Sequence, residues 1–283
     1  MSDATQTAAA APSGAAPASH SAASRPVVFR GGGFHPGRAR WAAPALFAAL
    51  LALWEVGTRS GFISSLTLPR PSDVAETLWR LWETGLLFEH LIPSVSRLVV
   101  GAALGVSAGI CVGVLIGLFT LVRAGLAPFI AAIFPIPKIA LLPLFVIWFG
   151  IGEPSKYALI AFGAFTPTVV ATWGAVDNVD RTLVRMGQSF GMPWGAIVRK
   201  IVMPAALPGI LSGLRISLAI AIILLVAAEM LGAEYGIGAY ILEAGALYDL
   251  ERLFAGVLIL SVMGLIVSYG VGLLEKRLLG WRA

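Results

Sequence analysis

Apolar positions run along this chain in long blocks rather than in alternation, and the blocks have the length of membrane spans. Charge-free stretches cover 98–122, 157–176 and 253–274. About 20 mostly apolar residues cross a bilayer as a helix. Three further stretches reach that length once isolated charges are admitted: Glu55 in 41–58, Lys138 in 124–152, and Arg215 with Glu229 in 205–231. The pattern predicts an all-α integral membrane protein with six transmembrane helices at about 41–59, 93–119, 126–150, 156–176, 205–231 and 253–275. Between the first two, residues 72–90 open with Ser72 and Glu76 and place Val74, Leu78, Leu81, Trp82 and Leu86 at helical spacing. That spacing predicts an amphipathic helix lying on the outer face. Residues 232–251 mix glycine, tyrosine and acid, and predict an outer loop with a short helix.

Two polar segments remain. Residues 1–40 are mostly Ala, Ser, Pro, Gly and Arg without periodicity, which predicts a disordered tail. The first apolar run begins only after Arg40, so the tail does not have the order of a signal peptide. Residues 177–204 predict two short helices. Val179, Leu183, Met186 and Phe190 share one face, Gly191-Met192 forms a break, and Pro193 suits the first turn of the second helix. Trp194, Ile197, Val198 and Ile201 give that second helix an apolar face, and Pro204 and Pro208 mark re-entry into the membrane. Apolar side chains beside Arg199 and Lys200 fit a docking surface for a soluble partner that receives a helix in a groove.

Composition agrees with the pattern. Hydrophobic residues make up 58% of the chain and charged ones 12%, against about 25% charged in soluble domains. Mean hydropathy is +0.88. The net charge of +5 does not point to nucleic acid, because the bases are scattered between apolar runs. With a cytoplasmic N-terminus, the cytoplasmic segments hold 12 Lys and Arg, including Arg25, Arg30, Arg38, Arg40 and Arg123. The remainder are Arg181, Arg185, Arg199, Lys200, Lys276, Arg277 and Arg282. The outer segments hold 5, namely Arg59, Arg70, Arg80, Lys156 and Arg252. This bias predicts that both termini are cytoplasmic.

The chemistry within the spans is sparse. Cys111 stands alone, so no internal disulfide can form. His20 and His35 lie in the tail and His90 at the edge of a span, which leaves no nucleophile–histidine or metal constellation in the membrane. A phosphate-binding loop needs Gly immediately before its Lys. The four lysines follow Pro137, Ser155, Arg199 and Glu275, so any ATP hydrolysis belongs to a separate subunit, and this chain is expected to be neither an enzyme nor a cofactor carrier. Arg215 and Glu229 are 14 residues apart, which puts them on one helix face roughly 21 Å apart. They line or gate a translocation path, or they snorkel and hydrogen-bond between helices. Pro135, Pro137 and Pro143 break the third span around Lys138. That break lines a path, or it leaves carbonyls that Lys138 reaches. Glu55, one turn from the outer end of the first span, is expected to snorkel.

The 177–204 segment resembles the cytoplasmic EAA loop of ABC-importer permeases, which reads Glu-Ala-Ala, three residues, Gly, nine residues, Ile-x-Leu-Pro. Gly191, Ile201 and Pro204 fall in register, with Met203 in the Leu position. Arg185, Met186 and Gly187 stand where the family has Glu-Ala-Ala. The stretches PKIALLPLFVIWFGIGEPSK (137–156), MPAALPGILSGLRISL (203–218), AAEMLGAEYGIGAYI (227–241) and EKRLLGWR (275–282) are similar to the nitrate/sulfonate/taurine branch of these permeases.

The resemblance covers about 42–283 and implies a type I importer permease (MetI-like) fold in a bacterial inner membrane. It also implies a second permease subunit, in this branch often an identical one, and two cytoplasmic ABC ATPases that bind ATP and Mg. A periplasmic solute-binding protein would deliver a sulfonate, nitrate, taurine or related organic molecule. Gly187, Phe190, Gly191, Pro193, Trp194, Ile197, Ile201 and Pro204 would couple to the ATPase. Pro135, Pro137, Lys138, Pro143, Arg215 and Glu229 are the candidates for the path or gate. The competing reading is a stand-alone secondary transporter or channel. Against it stand the lack of a visible internal repeat and the scarcity of intramembrane acids.

Overall fold

A computed structural model describes residues 41–64 and 67–282, so the tail expected over 1–40 lies outside the described residues. The chain divides at Ala49/Leu50 into two units. The first unit's described part is Trp41 and the opening turns of α1 (Ala42–Arg59). The second holds the rest of α1 and then α2 (Pro71–Glu83), α3 (Leu86–Leu118), α4 (Thr120–Ile133), α5 (Leu142–Phe149) and α6 (Glu153–Asp177). These are followed by α7 (Arg181–Ser189), α8 (Trp194–Ile197), α9 (Met203–Gly232), α10 (Ile237–Ala246) and α11 (Leu250–Leu278). A 3-10 turn, Lys138–Leu141, precedes α5, and a π-type turn, Val198–Val202, joins α8 to α9. No strand occurs among the described residues.

Among the described residues, four helices are long and apolar enough to cross a membrane: α3, α6, the continuous helix Trp194–Gly232, and α11. A fifth apolar segment is bent, as in a broken span or a re-entrant loop. Thr120–Ile133 and Lys138–Phe149 pass the same test together but meet at 94°. The missing donors of Pro135, Pro137 and Pro143 account for the break. α1 has 18 residues, roughly 27 Å of helix, which falls just short of an apolar core of about 30 Å. It also carries Glu55 and Arg59, which pair with each other. Glu55 further accepts from the Ser72 amide and hydroxyl at 3.1 and 3.0 Å, tying the end of α1 to the start of α2.

The helix expected over 72–90 is divided. α2 stops at Glu83, Gly85 takes a left-handed φ of 78°, and residues from Leu86 onward belong to α3. The apolar face of α2 is covered by protein: Val74 and Leu81 are buried in one cluster with Tyr240 and Ala255.

The core is built on α3 against α6. Gly101, Gly105, Gly109, Gly113 and Gly117 recur every four residues and therefore share one face of α3. A Cβ on Gly105 would lie 2.1 Å from the Ala161 carbonyl oxygen. Small residues let membrane helices approach to this distance, where dispersion contacts replace the missing hydrophobic drive. On the same pair of helices Leu98, Ala102, Ile160 and Ala164 pack with Ala221 and Leu225 of α9 and Met263 of α11.

Candidate functional site

The loop at the Asp177 end of α6 is held by capping rather than by long-range contacts alone. Asp180 caps α7, its Oδ1 accepting from the Thr182 amide at 2.7 Å. That hydrogen bond holds the Asp180 carboxyl below the usual carboxylate range. α7 ends in a Schellman motif: Gly191 N–H donates to Gln188 O at 2.9 Å and Met192 N–H to Gly187 O at 3.1 Å. Gly191 has φ 70°, and a Cβ at this position would meet nothing within 4 Å, so backbone conformation rather than space demands glycine there. Gly187 is buried for the other reason, since a Cβ would lie 2.8 Å from Ile201 Cδ1. Pro193 then caps α8, its carbonyl accepting from Ala196 and Ile197 at 2.9 and 3.1 Å.

One side of this loop is anchored and the other is bare. Ile197 is buried with Val176, Val179, Val202, Ala206 and Ile210, and Ile201 packs on that cluster. Pro204, half-buried at the start of α9, follows the π-type turn. Phe190 is 78% exposed and Trp194 58%, with Leu183 and Met186 also exposed beside them. The Trp194 ring lies 5.6 Å from that of Phe119, so α8 touches the start of α4. Behind the loop a cavity of about 270 Å³ is lined by Leu118, Asp177, Arg181, Gln188 and Trp194, among others. Arg185 and Met186 are exposed and Gly187 is buried, so the departure from Glu-Ala-Ala changes the outward chemistry at two positions.

The broken span places Pro135, Pro137 and Pro143 on an exposed surface, with Lys138 half-buried among them. Lys138 Nζ donates to the Phe134 carbonyl at 2.9 Å and sits 5.4 Å above the Phe134 ring. The lysine therefore does reach a carbonyl at the kink. α5 anchors the break: Leu142 and Phe145 are buried against Leu159 of α6 and Leu224 and Ala228 of α9.

Arg215 and Glu229 are not brought to one site. Arg215 is half exposed and reaches Glu275 of α11 at 3.1 Å. Glu229 is 0% exposed and belongs to an ionic cluster at the other end of α6. Its hub is Arg97 of α3. Arg97 Nε and Nη2 donate to the two oxygens of Glu153 at 2.7 and 2.6 Å. Arg97 Nη1 donates to Glu229 Oε1 at 2.8 Å and to the Tyr235 carbonyl at 2.6 Å. Glu229 also accepts from Ser94 Oγ at 2.7 Å and from the Gly238 amide at 2.8 Å. Lys156 pairs with Glu153 at 3.2 Å, and His90 Nδ1 lies 3.2 Å from the Gly236 amide nitrogen. Two guanidinium or ammonium groups balance two carboxylates. A buried pair is tolerated when its charges and lone pairs are met in this way.

Sequence reasoning singled out Glu229 but missed Arg97, Ser94, Glu153 and Lys156 as its company. The available signal was a charge in the span about 93–119 with no local partner. Among the described residues no group of three or more His, Cys, Asp or Glu could hold a metal ion. The arrangement leaves Phe190 and Trp194 bare at one end and closes an ionic clamp at the other.

Residues 105–280 match the family described as binding-protein-dependent transport system inner membrane component. A putative aliphatic sulfonates transport permease of Bacillus subtilis is 36% identical over 250 residues, covering 87% of this chain and 91% of that protein. The taurine transport system permease of Escherichia coli is 34% identical over 239 residues, covering 83% of this chain and 87% of its own. The riboflavin transport system permease of Chloroflexus aurantiacus is 31% identical, covering 85% and 90%. Among solved structures, an inward-facing form of the MetNI methionine ABC transporter superposes with a TM-score of 0.60 at 20% identity, covering 69% of this chain and 97% of that one. That likeness carries the fold, while the family match and the relatives carry the membership. With an all-helical bundle, an apolar segment bent at Lys138 and a capped loop that bares Phe190 and Trp194, the chain belongs to the binding-protein-dependent transport system inner-membrane components and is a permease subunit of an ABC importer.

Proposed function

We propose that this permease forms half of the translocation path of an importer for a small organic sulfonate or a related oxyanion. Two copies of the chain would stand side by side, each with six spans, α1 serving as the first. Both termini would face the cytoplasm, where 12 of the 20 Lys and Arg would then lie. A periplasmic binding protein would deliver the solute to the opposite face, and two ATPases would supply ATP, Mg and the driving reaction. The substrate class is drawn from relatives named for aliphatic sulfonates and for taurine.

The observation that carries the coupling role is the exposed pair Phe190 and Trp194 on a loop whose other face is locked by Ile197, Ile201 and Gly187. An apolar ridge on a rigid mount suits insertion into a cleft of a partner. A cleft that closes on ATP would push α8, and α8 is continuous with α9 through the π-type turn. Thus nucleotide state and path orientation would be coupled as two states that stabilise each other. The test is uptake by vesicles carrying the complete importer, with taurine and ethanesulfonate as probes and riboflavin as a third. ATP-dependent accumulation of a sulfonate supports the substrate class. Accumulation of riboflavin alone overturns it.

A further inference from the structure

Among the described residues, the charged side chains away from the ends of the membrane-length segments are paired, Lys138 excepted. Arg97 shares Glu153 and Glu229, and Arg215 meets Glu275. Nearer the span ends, Lys156 meets Glu153, Arg123 meets Asp177, and Glu55 meets Arg59. Lys138 has no carboxylate partner among the described residues. Its contacts are the Phe134 carbonyl at 2.9 Å, the Ile136 carbonyl at 3.5 Å and the Phe134 ring. Carbonyl dipoles and a ring face orient an ammonium group but leave its full charge in place.

This charge lies at depth. The turn that carries it, Lys138–Leu141, packs against α6 and α9, with Leu141 on the cluster of Leu159 and Leu224. Leu159 is six residues into α6, and Leu224 is eight residues from the end of α9, so each is roughly 9–12 Å from a helix end. Around it Phe134, Pro135, Ile136, Pro137 and Ile139 are exposed. Irregular backbone and an uncompensated cation are both costly against lipid, and both are accepted where they border protein or a water-filled cavity. The cation therefore calls for an anion that arrives from the path.

We propose that Lys138 is the specificity-determining residue of the translocation path: its ammonium group is the counter-charge for a passing oxyanion such as a sulfonate, held at the break of the third span. This rests on the reading of the chain as a sulfonate or oxyanion permease. Pro135 and Pro137 on one side and Pro143 on the other fix the turn, and two carbonyls hold the ammonium in place. Its third proton is free for the solute. A carboxylate partner would defeat this use by binding the cation permanently.

The experiment uses the complete importer in vesicles, with taurine and ethanesulfonate as probes. Lys138→Met should lower sulfonate uptake at least tenfold while the ATPase still co-purifies as in the parent. Lys138→Arg should retain uptake within about threefold, since it keeps the charge. Sulfonate uptake at the parental rate in Lys138→Met overturns the proposal, as does an equal loss in both variants accompanied by loss of the ATPase. A second measurement does not depend on transport. In a Cys111→Ser background, Lys138→Cys should react with a water-soluble sulfonatoethyl thiosulfonate reagent, and saturating ATP with vanadate should change that rate. No reaction in any nucleotide state places the residue against lipid or protein and overturns the proposal. A parent importer that moves riboflavin and no sulfonate fails the substrate reading instead, and this is visible before any variant is made.

Discussion

At the scale of single residues, the loop and the ionic cluster make opposite demands. Gly191 is required by its φ of 70°. Placing a Cβ in the left-handed region costs about 1–2 kcal/mol. Gly191→Ala should therefore loosen the α7–α8 turn by about that amount, read as loss of amide-exchange protection at Met192. Gly195→Ala, with open space around it and no positive φ, should stay within about 0.5 kcal/mol of the parent. Asp180 gives a pH signature. Its carboxyl is held low by the Thr182 amide, so the stabilisation is present above the unfolded value and is lost as pH falls through the folded one. Protection of the Thr182 amide should fall on acidification below about pH 4, and Asp180→Asn should remove that dependence while keeping the cap. Arg97 is the residue whose loss should be felt most. Arg97→Leu leaves the fully buried Glu229 unpaired, and removing one partner of such a pair costs about 3–5 kcal/mol. Glu153→Gln should cost much less, because Glu153 is 45% exposed. Thermal unfolding in detergent separates the two. Equal midpoints would contradict the role of Arg97 as hub.

At the scale of elements, the apolar runs predict α3, α6, α9 and α11 because length and hydropathy are local properties. The prolines around Lys138 announce the broken span for the same reason. What the sequence leaves unread is pairing between elements. Arg97 meets Glu153 and Glu229 at separations of 56 and 132 residues, and no periodicity within α3 names either partner. Arg215 and Glu229 share a face by helical spacing, yet α11 claims one and α3 with α10 claims the other. The break at Gly85 hides in the apolar periodicity of 72–90, because Leu86 keeps the spacing while the backbone changes direction. The glycines of α3, spaced by four, mark a close-packing face, and only the structure names α6 as its partner. A test belongs here: Gly105→Leu should prevent α3 from seating on α6, since even a Cβ would lie 2.1 Å from the Ala161 carbonyl oxygen. Gly125→Leu, on α4 with nothing within 4 Å of its Cβ position, should leave the fold intact. Protease resistance in native membranes reports the difference.

At the scale of the whole molecule, the two ends of α6 divide the labour. Its Glu153 end is clamped to α3 and α9 by a neutral cluster, and its Asp177 end leads into the loop that bares Phe190 and Trp194. Those ends are 24 residues apart, roughly 36 Å of helix. Coupling over that distance needs a rigid element, and the continuous helix from Trp194 to Gly232 supplies one between the loop and Glu229. The central claim, that a partner ATPase drives this permease through α8, is tested most directly by ATP-dependent uptake in vesicles that hold the complete importer with Trp194→Glu. Uptake should fall to background, with the ATPase no longer co-purifying and the chain still inserted in the membrane. Uptake at the parental rate, or solute movement by this chain alone under an ion gradient, would contradict it.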